Sequence, residues 1–260
     1  MLRPRLIPCL LVHKGGLVKT VKFGDPKYVG DPINAVRILN EKGVDELLVV
    51  DIDATRQQRE PDYRLIGNLA NECRMPLCYG GGVTSCAQIE RIIGLGVEKV
   101  ALGAAAAARP ELLGEAASRV GRQSLVAVID VKRSGLMRRN EVVTHNATVR
   151  TGHDPIEFAK RMQEQGAGEI LLNSVDRDGT MEGYDLELVA RLRDRVTIPI
   201  TILGGAGSLG DVEGLYKAHG IIGAAAGSLF VFKGKYRAVL INYPNGSEKH
   251  ALLARAGFGA

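Results

Sequence analysis

Tryptophan is absent and only five phenylalanines occur in 260 residues, so few flat rings are on hand for stacking nucleobases. No basic run interleaves with aromatics. The formal net charge of +5 is modest and suits an anionic metabolite better than a nucleic acid. The four cysteines, Cys9, Cys73, Cys78 and Cys86, form no CxxC pair, and His13 is the only histidine near any of them in sequence. That pattern argues against a metal site and for buried free thiols in a reducing compartment. The apolar run in MLRPRLIPCLLV is too short for a signal-peptide core, and no run approaches the ~20 apolar residues of a membrane span. A cytoplasmic protein is expected, with no metal, no cofactor, no membrane and no nucleic-acid partner.

What is present is glycine, alanine and an apolar fraction of 45%, which suit a tightly packed α/β core. The stretch GAGEILLNSVDRDGT, residues 166–180, reads as a helix end, a strand apolar without alternation, and an acidic loop. Such a strand is buried on both faces. The phrase occurs earlier as GVDELLVVDID: Gly43 matches Gly166, Glu46 matches Glu169 and Asp53 matches Asp176, at an offset of 166 − 43 = 123.

Other landmarks repeat at nearly the same distance. Asp31-Pro32 and Asp154-Pro155 each supply an N-cap followed by proline at the first helical position. Strands expected over 76–79 and 198–203 run into Gly80-Gly81-Gly82 and Gly204-Gly205-Ala206-Gly207, and those over 99–102 and 221–225 run into Gly103-Ala104 and Gly227-Ser228. Four strand–helix units per half, with no linker between halves, predict a single (β/α)8 TIM barrel with a half-barrel internal repeat. Its span is 1–244, its halves about 1–122 and 123–244, and 245–260 is expected to be a loose tail. The connection over 13–30 is long enough to be a functional lid, and 132–151 reads as an excursion with 141–144 as one arm of a hairpin.

In such a barrel the site lies where strands end. The glycine clusters leave backbone N–H groups open to an anion at both sides of one mouth, as a ligand with a phosphate at each end requires. Asp130 ends the fifth strand in VAVIDVKR and is placed for proton transfer. Its half-repeat counterpart in IPCLLV is Leu11, so the carboxylates are not paired.

The motifs IPCLLV, DELLVVDID, YGGGV, IDVKR, GAGEILLNSVDRDGT, GYD and GGAG cover the chain from Met1 to about Phe232. Together they resemble the cyclase subunit of imidazole glycerol phosphate synthase, from histidine biosynthesis. The resemblance implies a lyase-type barrel that takes ammonia from a class I glutaminase subunit in a heterodimer and uses it on a bis-phosphorylated small molecule. It implies catalytic roles for Asp130 and Lys19, and an ammonia gate of Arg5, Glu46, Lys99 and Glu169. Phosphate contacts fall on Gly82, Asp178, Gly179, Gly205 and Ser228, with Gly227 beside them. The family's first catalytic aspartate falls on Leu11, and its phosphate-binding Asn-Thr pair on Gly103 and Ala104. Leucine can neither transfer a proton nor bond a polar intermediate, which sets the chain apart from an ordinary cyclase.

The stretches LVKTVKF, PKYVGDPINAVRI, EPDY and GSLFVFKGKYRAVLINYP resemble a narrower group, the cyclase-like paralogue of acetamidino-sugar modification systems. That likeness implies service to a surface-polysaccharide sugar beside a glutaminase and a sugar amidotransferase. A histidine-pathway cyclase and a non-catalytic ammonia-conducting subunit are the two other readings.

Overall fold

A computed structural model of the chain describes residues 3–135 and 139–259. Eight strands form the barrel: β1 (Arg5–His13), β2 (Leu47–Asp51), β3 (Leu77–Gly80), β4 (Lys99–Leu102), β5 (Leu125–Ser134), β6 (Glu169–Ser174), β7 (Ile200–Leu203) and β8 (Gly223–Ala226). Each pairs in parallel with the next, and β8 returns to β1 through Arg5–Gly223 to Pro8–Ala226, so the sheet closes. Closure leaves no barrel strand with an unpaired edge.

Side chains two residues apart on a strand share a face. Ile7 and Cys9 on β1, Leu48 on β2, Cys78 on β3, Ala101 on β4, Val126 on β5, Leu171 on β6, Leu203 on β7 and Ala225 on β8 therefore meet inside the barrel, with Leu11, Val50 and Val128 above them. The alternate residues face outward into a larger apolar layer shared with the helices. The longer of those helices are α1 (Pro32–Glu41), α2 (Tyr63–Glu72), α3 (Cys86–Gly94), α4 (Glu111–Val120), α5 (Pro155–Glu164), α6 (Leu186–Arg193), α7 (Leu209–His219) and α8 (Gly246–Arg255). None among the described residues is long and apolar enough to cross a membrane.

The caps repeat. Asp31, Asp62 and Ser85 start α1, α2 and α3, and Asp154, Asp185 and Ser208 start α5, α6 and α7. Each side chain accepts a backbone N–H of the first turn, an arrangement that stabilises a helix by about 1 kcal/mol. The offset is 123 in every pair (154 − 31, 185 − 62, 208 − 85). The strand-end glycines behave alike. A Cβ on Gly81 would stand 2.3 Å from the Asp51 carbonyl oxygen, and one on Gly204 2.5 Å from that of Ser174. Both residues have positive φ, which glycine adopts at no steric cost.

Two excursions decorate the mouth. After β1 the chain forms the antiparallel strands Gly16–Lys19 and Lys27–Gly30, so the long first connection is tied to the sheet by its backbone. After β5, Arg139–Thr144 pairs back antiparallel and is followed by Val149–Arg150, which is the expected hairpin.

The ending differs from the sequence reading. Residues 245–259 are not a loose tail, since α8 occupies most of them, and residue 260 lies outside the described residues. Asn245 and Glu248 form a reciprocal capping box, Leu252 is fully buried, and Arg255 Nε donates to Glu213 on α7 at 2.7 Å. The N-x-x-E signal was present, and its lone apolar pair of leucines sufficed because α7 offered a surface to cover. Just before it, Ala238–Val239 pairs with Phe232–Lys233 in a two-residue antiparallel ribbon.

Candidate functional site

At the end of the barrel where the strands begin, four charges from distant parts of the sequence meet. Arg5 opens β1, Glu46 precedes β2, Lys99 opens β4 and Glu169 opens β6. Each cation touches both carboxylates: Arg5 pairs with Glu46 and, at 2.7 Å, with Glu169, while Lys99 lies 2.8 Å from Glu46 and 2.9 Å from Glu169. The carboxylates are buried and the cations partly so, which is tolerable only because all four are paired. Burial opposes ionisation of Glu169, yet Arg5 and Lys99 overcome it and hold its carboxyl at about 2. Burial likewise works against the charge of Lys99, and the two glutamates outweigh it and raise its pKa. Thr201 completes the ring by donating to Glu169 at 2.6 Å. It is the single hydroxyl in strand ITIL, a signal that sequence reasoning passed over.

The opposite end opens into a cavity of about 220 Å³ bounded by the excursions after β1 and β5. Asp130 and Leu11 both line it. β1 and β5 are four strands apart in an eight-strand ring, so these two positions face each other across the mouth. Asn173 on β6 sits in register with Asp130 and donates Nδ2–H to its Oδ1 at 2.9 Å, which works to lower its pKa. Burial dominates, however, and with the nearby Asp178 charge it pushes Asp130 up to about 6. A carboxyl so placed exchanges protons near neutral pH.

Lys19 is buried and reaches Asp178, with Nζ 2.8 Å and 3.0 Å from the two carboxylate oxygens, and Thr20 donates to the same carboxylate. The Asp178 carboxylate thus holds Lys19 in place. Lys19 also lies across Gly227, where a Cβ would come within 2.8 Å of its Cε. Cys9, deeper in the barrel, stays a thiol because burial pushes it up to about 12.

Of the other residues read as phosphate contacts, Gly103, Ala104 and Gly227 line the cavity with Asp178. Gly82, Gly179, Gly205 and Ser228 are not among the residues that line it. The Gly82 N–H donates to Thr55, and the buried Ser228 hydroxyl finds no partner among the described residues. The amide oxygen of Asn173 is also buried without a partner among the described residues.

The mouth holds a second cluster that the sequence did not disclose. His13 ends β1, and its Nδ1 lies 2.8 Å from Asp53 Oδ1, while Asp53 Oδ2 accepts the Lys14 N–H at 2.9 Å. Beside it, Asp51 takes Arg59 at 2.7 Å and two backbone N–H groups. Among the described residues no group of three or more His, Cys, Asp or Glu could hold a metal.

The family model described as "Histidine biosynthesis protein" matches residues 5–237. A Leptospira borgpetersenii protein named "Putative imidazole glycerol phosphate synthase subunit HisF" is 56% identical over 252 residues, covering 97% of this chain and 99% of that one. A Pseudomonas aeruginosa protein named as the corresponding subunit hisF2 is 50% identical, covering 94% and 97%. The Kineococcus radiotolerans protein named "Imidazole glycerol phosphate synthase subunit HisF" is 44% identical over 79% of this chain and 82% of its own. The chain belongs to the histidine biosynthesis protein family, within its branch of HisF-like imidazole glycerol phosphate synthase cyclase subunits.

Proposed function

We propose that this chain is a synthase-type subunit that receives ammonia from a class I glutaminase docked over the four-charge ring. Ammonia passes through the barrel and is used in the mouth on a phosphorylated small molecule, in the service of acetamidino modification of a surface-polysaccharide sugar. The observation that carries this reading is the pairing of an intact ring at one end with Leu11 facing Asp130 at the other. Between the two ends Ile7, Leu48, Ala101, Val126 and Ala225 offer an apolar lumen, which suits neutral ammonia and opposes ammonium. A sugar amidotransferase would act on the same acceptor.

The partnership is tested by mixing the purified chain with the glutaminase paralogue of a HisF-like system. We expect a stable heterodimer and a glutaminase rate at least about tenfold above that of the free glutaminase, the scale of a coupling of about 1.4 kcal/mol. Absence of both association and stimulation rejects the reading.

A histidine-pathway cyclase is favoured by Asp130 and Lys19 standing in the cavity as that activity would want them. Supplying the bis-phosphorylated substrate with an ammonium salt decides the matter. Wild type should turn over at least about 10²-fold more slowly than Leu11→Asp, since a placed general acid or base contributes that much or more. Fast turnover by wild type would make the chain an ordinary cyclase.

A further inference from the structure

We propose that His13, oriented by Asp53, is the general base of the mouth and takes the proton-transfer role that Leu11 cannot fill. This inference rests on the ammonia-using reading above and assigns a residue to it. His13 and Leu11 are two residues apart on β1 and so lie on the same face, with His13 nearer the opening. Both line the cavity that Asp130 enters from the opposite side of the ring of strands.

The pairing fixes the chemistry of the imidazole. Burial tends to raise the pKa of Asp53, but the Lys14 amide and His13 hold it below the usual carboxylate range, so it is ionised and can only accept. The ring nitrogen facing it, Nδ1, must therefore carry the hydrogen. In the neutral ring that leaves Nε2 as the basic atom, and no described residue bonds to it. The His13 side chain is one-quarter exposed, enough for Nε2 to meet a ligand, while Asp53 is one-tenth exposed and held by two further contacts. His145 also lines the cavity, but its Nδ1 faces the Thr144 hydroxyl, which imposes no tautomer.

The step is an addition. Ammonia emerging from the lumen forms a C–N bond at a carbonyl-type carbon, and the C=O electron pair moves to oxygen. That oxygen takes the proton of Asp130, and the nitrogen, now cationic, gives one N–H proton to His13 Nε2. The products are a neutral tetrahedral adduct, the Asp130 carboxylate and an imidazolium stabilised by Asp53. The substrate class is thus a phosphorylated or nucleotide-linked sugar bearing an electrophilic carbonyl-type carbon.

Two measurements test it. In a strain lacking its own copy, the full chain is expressed with its glutaminase and the acetamidino content of the surface polysaccharide is read by mass spectrometry. His13→Gln and Asp53→Asn should each lower the initial rate of modification by about 10²-fold, the lower end of the general-base range, with melting temperatures within a few degrees of wild type. Separately, 15N spectra of the wild-type chain should place the hydrogen of neutral His13 on Nδ1, and Asp53→Asn should erase that preference. Asp53 is a positioning residue, and the tautomer shift is what a merely structural carboxylate would not produce. Full modification by His13→Gln, or a hydrogen on Nε2, overturns the proposal. Failure of wild type itself to restore modification rejects the sugar reading and this inference with it, whatever tautomer the spectra report.

Discussion

Asp130→Asn should lower ammonia-dependent turnover by about 10²–10⁴-fold and, at the same time, make the protein more stable near neutral pH. The two effects have one cause. Burial, with Asp178 nearby, raises the Asp130 carboxyl to about 6, and that poise lets it deliver a proton at working pH. A folded-state value above the unfolded value of ~3.9 means that the native state binds the proton more tightly than the unfolded chain. Native stability therefore falls as pH rises between about 4 and 6, and above that range the buried charge costs about 2 kcal/mol once cavity water is allowed for. Asparagine removes the charge and keeps an oxygen for the Asn173 amide to donate to. Chemical denaturation at pH 7 should show the gain, and it should vanish below about pH 4. A non-catalytic conduit would show the same gain in stability with turnover unchanged, so the rate separates the two readings while the stability confirms that the variant is folded.

The parts of this architecture visible in the sequence are those written locally. Asp31-Pro32 and Asp154-Pro155 start helices because an N-cap and a proline act within one turn, and both do so here. The glycines after β3 and β7 announce themselves because the backbone there passes close to the preceding strand's end. The four-charge ring is different in kind. Charged residues opening otherwise apolar strands are an anomaly that a strand pattern registers without explaining, and only resemblance named them as a group. Partnerships across long separations were invisible. Lys19 and Asp178 are 159 residues apart, and His13 and Asp53 meet because β1 and β2 pair with Val12 beside Asp51. The repeat marked Asp53 only as the partner of Asp176, yet Asp176 accepts the Arg133 backbone N–H at 2.7 Å and has no histidine to orient among the described residues. Caps that recur at one offset do not bring recurring chemistry with them. The C-terminal helix failed for the opposite reason. Its cap was legible, but a polar ten-residue helix with a single fully buried leucine is stable only against a neighbour, and α7 is what the sequence alone could not place beside it.

Glu169→Gln should destabilise the chain by about 3 kcal/mol at neutral pH, the scale of breaking a buried ion pair by removing one partner. For a domain of this size that corresponds to a melting temperature lower by roughly 6–12 °C. Glutamine matches the shape and can still accept the Thr201 hydroxyl, so the loss is electrostatic. Arg5 and Lys99 are left facing Glu46 alone, two cations against one carboxylate in a half-buried ring. The sign with pH follows from the carboxyl being held at about 2, below its unfolded value of ~4.3. Stability from this group is complete above about pH 4.5 and is lost as pH falls through about 2, so the gap between wild type and Glu169→Gln should shrink over that window. A gap that stayed constant would assign the effect to packing. The functional consequence has its own signature. Turnover driven by glutamine through the partner should fall, while turnover with an added ammonium salt, which can enter from the open mouth, should hold near wild type at temperatures where the variant is folded. Equal losses with both nitrogen sources would mean that the ring supports the barrel and does not govern the passage of ammonia.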